Sequence, residues 1–90
     1  MRLVVLWNEQ TDYASEVREW IRDFEHDTGH AEKIENLDPE TIEGSDFAKL
    51  YDILQFPAVV VTDEDGQLIQ MWKGTPMPQI DQVSYWAQEV

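Results

Sequence analysis

The sequence predicts one α/β domain over residues 1–90, with the element order β-α-β-α-β-β-α. Three observations carry that prediction. Phe56-Pro57-Ala58-Val59-Val60-Val61-Thr62 contains an unbroken β-branched apolar run, which suits a strand buried on both faces. Asp65-Gly66 behind it is a turn pair, since Gly tolerates positive φ and Asp bonds its own backbone, so Gln67-Leu68-Ile69-Gln70-Met71-Trp72-Lys73 becomes the second arm of a hairpin. Apolar residues at helical spacing precede and follow this hairpin.

Arg2-Leu3-Val4-Val5-Leu6-Trp7 is apolar nearly throughout and predicts a central first strand covered on both sides. Asn8 to Asp12 is a polar connection in which Thr11 or Asp12 can cap the next helix. Tyr13, Val17, Trp20, Ile21 and Phe24 then form a helical stripe running to about Thr28, with Gly29 as its stop. Ala31 to Leu37 is short and polar around Ile34, as expected of an edge strand whose Glu and Lys discourage further pairing. Pro39 to Gly44 predicts irregular chain or a single helical turn. Ser45 is expected to cap a second helix from Asp46 to about Leu54, burying Phe47, Leu50, Tyr51 and Leu54. After the hairpin, Gly74-Thr75-Pro76-Met77-Pro78 breaks the chain. A last helix from about Pro78 or Gln79 to Gln88 shows Ile80, Val83, Ala87 and Val90 on one face.

Ninety residues support one core but not two, and 42% apolar with 28% charged residues predicts a soluble chain. No apolar run approaches the ~20 residues of a membrane span. The start of the chain is too short and too soon interrupted by Asn8 and Glu9 to predict a signal peptide, so a cytoplasmic location is expected. The net charge of −13 argues against nucleic-acid partners, which need clustered cations, whereas Arg2, Arg18, Arg22, Lys33, Lys49 and Lys73 are scattered. Such an acidic excess serves solubility or a basic protein partner. No cysteine is present, which removes disulfides, thiolate nucleophiles and cysteine-ligated metals together.

The element order, with a proline opening the third strand, resembles the thioredoxin fold. The local match is Tyr51-Asp52-Ile53-Leu54-Gln55-Phe56-Pro57-Ala58-Val59-Val60-Val61, then Asp63-Glu64-Asp65-Gly66 and Gly74, which is similar to the helix, cis-proline, strand, hairpin and glycine run of thioredoxins and glutaredoxins. The resemblance implies a four-stranded mixed sheet with helices on both faces and a cis Phe56–Pro57 bond. In that family a Cys-x-x-Cys pair lies between the first strand and first helix; here those positions fall on Thr11-Asp12-Tyr13-Ala14. A Thr hydroxyl lies far beyond the pKa reach of a helix dipole worth about 1 kcal/mol, so thiol–disulfide exchange is not expected.

The resemblance also implies a site. Trp7, Thr11, Tyr13, Phe56, Pro57 and Thr75 are expected to converge at the former active-site corner, where relatives pair the backbone before the cis-proline with an extended peptide or glutathione. For each of these residues the alternative is ordinary packing, with Thr11 as a helix cap. The leading expectation is a non-catalytic module that binds a protein or peptide. The alternatives are a structural or self-associating acidic domain, or a glutathione-binding protein using Thr11. No catalytic residue, cofactor, metal, nucleic acid or membrane partner is expected. His26 and His30 are four apart near Asp23 and Asp27, but an exposed His at a helix C-terminus is ordinarily a dipole partner. Asp63, Glu64 and Asp65 are turn chemistry in water. Trp72, with Tyr85 and Trp86, could instead form an apolar patch for a partner or a homodimer.

Overall fold

A computed structural model describes residues 1–28 and 34–86. Its elements are β1 (Arg2–Leu6), α1 (Ala14–Thr28), β2 (Ile34–Leu37), α2 (Ile42–Leu50), β3 (Ala58–Thr62), β4 (Leu68–Lys73) and α3 (Ile80–Trp86). The strands form one sheet in the order β2-β1-β3-β4. β1 runs parallel to β2, which is reached through α1, and antiparallel to β3; β3 and β4 are the antiparallel hairpin.

Strand alternation splits the apolar residues between the two faces of this sheet. Leu3, Val5, Val59 and Val61 meet Val17, Trp20 and Phe24 of α1 and Val83 of α3 on one face. Val4, Leu6, Ala58 and Val60 meet Phe47 and Ala48 of α2, together with Ile53, on the other. The central strands β1 and β3 are therefore the residues that read as continuous apolar runs. Burying each such Val or Leu side chain contributes about 1.5–3 kcal/mol. Trp72 and Met71 of β4 pack against opposite faces, Trp72 under α1 and α3 and Met71 toward α2.

α2 departs from its expected course. It begins at Ile42 rather than Asp46, because Thr41, not Ser45, supplies the cap: its Oγ1 accepts the Gly44 N–H at 3.1 Å and its backbone is extended. It stops at Leu50. Asp52 adopts φ 56°, its N–H donates to the Lys49 carbonyl at 3.3 Å, and the Ile53 N–H returns to Ala48 at 2.8 Å. These two bonds form a Schellman closure, with Asp52 where glycine more often stands. The turn rotates Ile53 into the core and leaves Leu54 exposed, while Leu50, still helical, lies off the face that buries Gly44, Phe47 and Ala48. The expected stripe of Phe47, Leu50, Tyr51 and Leu54 therefore keeps only Phe47 and the half-buried Tyr51.

Gly29, His30, the Ala31–Lys33 part of the second strand, and Ala87 and Val90 of the last helix lie outside the described residues. Among the described residues, no group of three or more His, Asp or Glu is placed to hold a metal, and no helix is long and apolar enough to cross a membrane.

Candidate functional site

All four strands end at one rim of the sheet. Leu6 lies beside Leu37 on one side and Ala58 on the other, and Ala58 faces Lys73. One step further, the Trp7 N–H donates to the Leu37 carbonyl at 3.0 Å and the Gly74 N–H donates to the Pro57 carbonyl at 2.8 Å. Trp7, Pro57 and Gly74 thus share this rim, with Phe56, Thr75 and the 8–13 loop next to them in sequence. The Phe56–Pro57 and Thr75–Pro76 peptide bonds are both cis.

The side chains of the six expected residues do not gather into one cluster. Trp7 and Tyr13 pack against the α1/α3 face, and Phe56 packs against the α2 face. Pro57 is fully buried between strand ends, whereas Thr75 is exposed. The backbone converges and the side chains diverge. The reason is strand geometry: residues on a shared rim project to whichever face their parity dictates.

Thr11 is occupied locally. Its hydroxyl donates to the Asn8 carbonyl at 2.7 Å, and its own carbonyl accepts the Ala14 N–H at 3.3 Å. It does not act as the side-chain cap of α1. A hydroxyl has a single proton, so this bond leaves none to donate to a ligand sulfur. The Trp7 indole is fixed by its Nε1–H, which donates to Asn36 Oδ1 at 3.0 Å.

Several residues that build the rim lie outside the six expected ones. Asn8 ties the two strand-to-helix loops together, its Nδ2 donating to Asp38 Oδ1 at 3.0 Å and Glu40 Oε2 at 3.1 Å while its Oδ1 accepts the Gln10 N–H at 2.7 Å. Glu16 of α1 accepts the Met77 N–H at 2.8 Å, and the Trp20 Nε1–H donates to the Pro78 carbonyl at 2.7 Å. These two bonds pin the 74–78 loop that carries Thr75. An Asn directly after a first strand could have suggested the loop tie, but nothing in sequence links Glu16 to Met77.

Two hollows flank Trp7 on its β2 side. One of about 570 Å³ lies between Arg18 and Arg22 of α1 and Asn36 of β2, and one of about 320 Å³ is lined by Asn8, Glu9, Asp38 and Glu40. Neither is lined by Thr11, Tyr13, Phe56, Pro57 or Thr75. On the rim itself, the backbone of Phe56 makes no hydrogen bond within the described residues.

A four-stranded mixed sheet flanked by three helices, with a cis-proline at the head of β3, defines a thioredoxin-like fold, here without any cysteine. Among solved structures the chain is similar to thioredoxin 1 from the thermophilic eubacterium Thermosipho africanus TCF52B. The TM-score is 0.64 at 16% sequence identity, covering 96% of this chain and 89% of that one. No family model and no curated protein matches the chain. The likeness is one of fold, and a dithiol mechanism has no nucleophile in this chain.

Proposed function

We propose that the chain is a cytoplasmic, non-catalytic thioredoxin-like module that binds an extended segment of a protein partner at the rim beside Pro57. The observation that supports this reading is the Phe56 backbone, whose N–H and C=O are unpaired at the edge of a rigid scaffold. An extended peptide supplies the missing partners by strand addition, in which main-chain bonds give affinity and neighbouring side chains give selectivity. Trp7 and Tyr13 on one side and Phe56 on the other are the side chains within reach of such a segment. The hydroxyl of Thr11 stays on Asn8, which favours peptide binding over the glutathione reading.

The test couples partner capture with a local readout. Proteins retained by the wild type are compared with those retained by Phe56→Asp, after circular dichroism has shown the variant folded. The recovered partner is then added to isotope-labelled wild type, and exchange at the Phe56 amide is followed. Loss of the partner in the variant, together with at least tenfold slower exchange at Phe56, supports the reading. Unchanged exchange at Phe56 overturns it; slower exchange with a partner held equally by Phe56→Asp supports main-chain pairing, since that variant keeps the same N–H and C=O. Strand addition at the rim predicts weak salt dependence. Steep weakening between low salt and 0.1 M, where the screening length is ~10 Å, would place binding on the acidic surface with a basic partner instead.

A further inference from the structure

An antiparallel ladder alternates, so the Gly74 N–H bond to Pro57 fixes the phase of the β3–β4 pair. Trp72 and Gln70 turn their main-chain groups toward β3, and Lys73 and Met71 turn theirs outward. β4 is the outermost strand, so outward means away from the sheet. An open edge of this kind is a template for another strand unless something interrupts it. The opposite edge, β2, is four residues long and carries Glu35 in an ion pair with Arg2. β4 is six residues long, and Leu68 to Trp72 bears no charge.

Three features interrupt the β4 edge. The register jumps from Val61–Gln70 to Thr62–Leu68, which leaves Ile69 as a bulge without a partner. Lys73 places an ammonium group at the other end. Between them the Met71 N–H, the one outward donor on the flat part of the neutral stretch, is occupied: Gln70 Oε1 accepts it at 2.9 Å.

We propose that Gln70 guards this edge, its side-chain carbonyl holding the Met71 N–H that an incoming strand would need, and that without it β4 pairs antiparallel with β4 of a second copy. A second copy is the occupant because antiparallel pairing centred on Met71 is self-complementary: each Met71 N–H meets the other Met71 carbonyl about a two-fold axis. The two facing stretches are also the neutral part of a chain that otherwise repels itself with a charge of −13.

Gln70→Val removes the acceptor while keeping a residue that favours strands. Sedimentation over a concentration series is expected to show the variant dimerising at concentrations at least tenfold below any at which the wild type associates, with isotope-filtered contacts between the Met71 residues of two copies. In the wild type, the Met71 amide is expected to exchange at least tenfold more slowly than the outward Lys73 amide, after correction for intrinsic rates. A folded Gln70→Val that stays as monomeric as the wild type overturns the proposal. So does a wild type that already pairs through β4, or a Met71 amide that exchanges as fast as Lys73. Should the variant not fold, the exchange comparison in the wild type decides alone.

Discussion

Gly44 sits so close to the carbonyl of Asp38 that a Cβ on it would stand 1.9 Å from the oxygen and 3.1 Å from the Pro39 Cα. The obstacle is backbone, which cannot swing aside. Intrinsic propensity favours Ala over Gly inside a helix by about 1 kcal/mol. Gly44→Ala is nevertheless expected to destabilise, at or above the upper end of the about 1–3 kcal/mol typical of overpacking. Urea denaturation checks the sign; a more stable variant would mean that the 38–44 turn is looser than described.

The cap of α2 offers a paired comparison. Thr41 Oγ1 accepts from Gly44 and donates to the Asp38 carbonyl at 2.7 Å, so Thr41→Ala removes both bonds. A loss of about 1 kcal/mol is expected, the usual value for a cap. Ser45→Ala, the change that sequence alone would single out, is expected to shift the denaturation midpoint far less.

Thr62 closes β3 fully buried, and its Oγ1 has no hydrogen-bond partner. An unsatisfied buried hydroxyl costs about 1–3 kcal/mol, and valine has nearly the same shape. Thr62→Val is therefore expected to stabilise by about 1 kcal/mol, read as a higher denaturation midpoint with an unchanged slope.

Arg2 and Glu35 bridge β1 and β2 through two bonds, Nε to Oε2 at 2.8 Å and Nη2 to Oε1 at 3.0 Å. The hydrogen bond from Arg2 holds the Glu35 carboxyl below its ordinary value; burial opposes this and the Arg2 charge adds to it. Arg2 is raised in turn, chiefly by the same bond. A carboxyl more acidic when folded contributes stability above its unfolded pKa of ~4.3 and loses it as pH falls through the folded value. Both side chains are nearly half exposed, at 44% and 45%, so screening limits the pair to about 1 kcal/mol or less. Wild type and Glu35→Gln are expected to differ at pH 7 and to converge in strong acid.

The sheet was legible in sequence because its central strands are buried on both faces, so Val4 to Leu6 and Val59 to Val61 carry their position in composition alone. The hairpin was legible for a different reason, the turn chemistry of Asp65-Gly66, and Gly66 indeed takes a positive φ of 88°. α2 was misread at both ends. Its cap is a Thr four residues before the Ser that looked like one, and its stop is an Asp in a left-handed conformation that glycine usually marks. Leu54 keeps the period of a helix that has already ended, and Leu50 lies on the exposed side of that helix. At the rim, the resemblance located the backbone, but the face each side chain takes depends on register. That is why Trp7 and Phe56, expected together, lie on opposite sides.

The division of the molecule into two layers settles what light can report. Trp7, Trp20 and Trp72 all pack on the side of the sheet covered by α1 and α3, and Trp86 belongs to α3. The layer beneath α2 has Phe47, Tyr51 and Phe56 but no indole. Intrinsic tryptophan emission therefore follows one half of this molecule. Loosening of α2 alone would pass almost unseen in fluorescence while appearing in tyrosine absorbance or helical dichroism, so a melt followed by emission alone would overstate the cooperativity of unfolding.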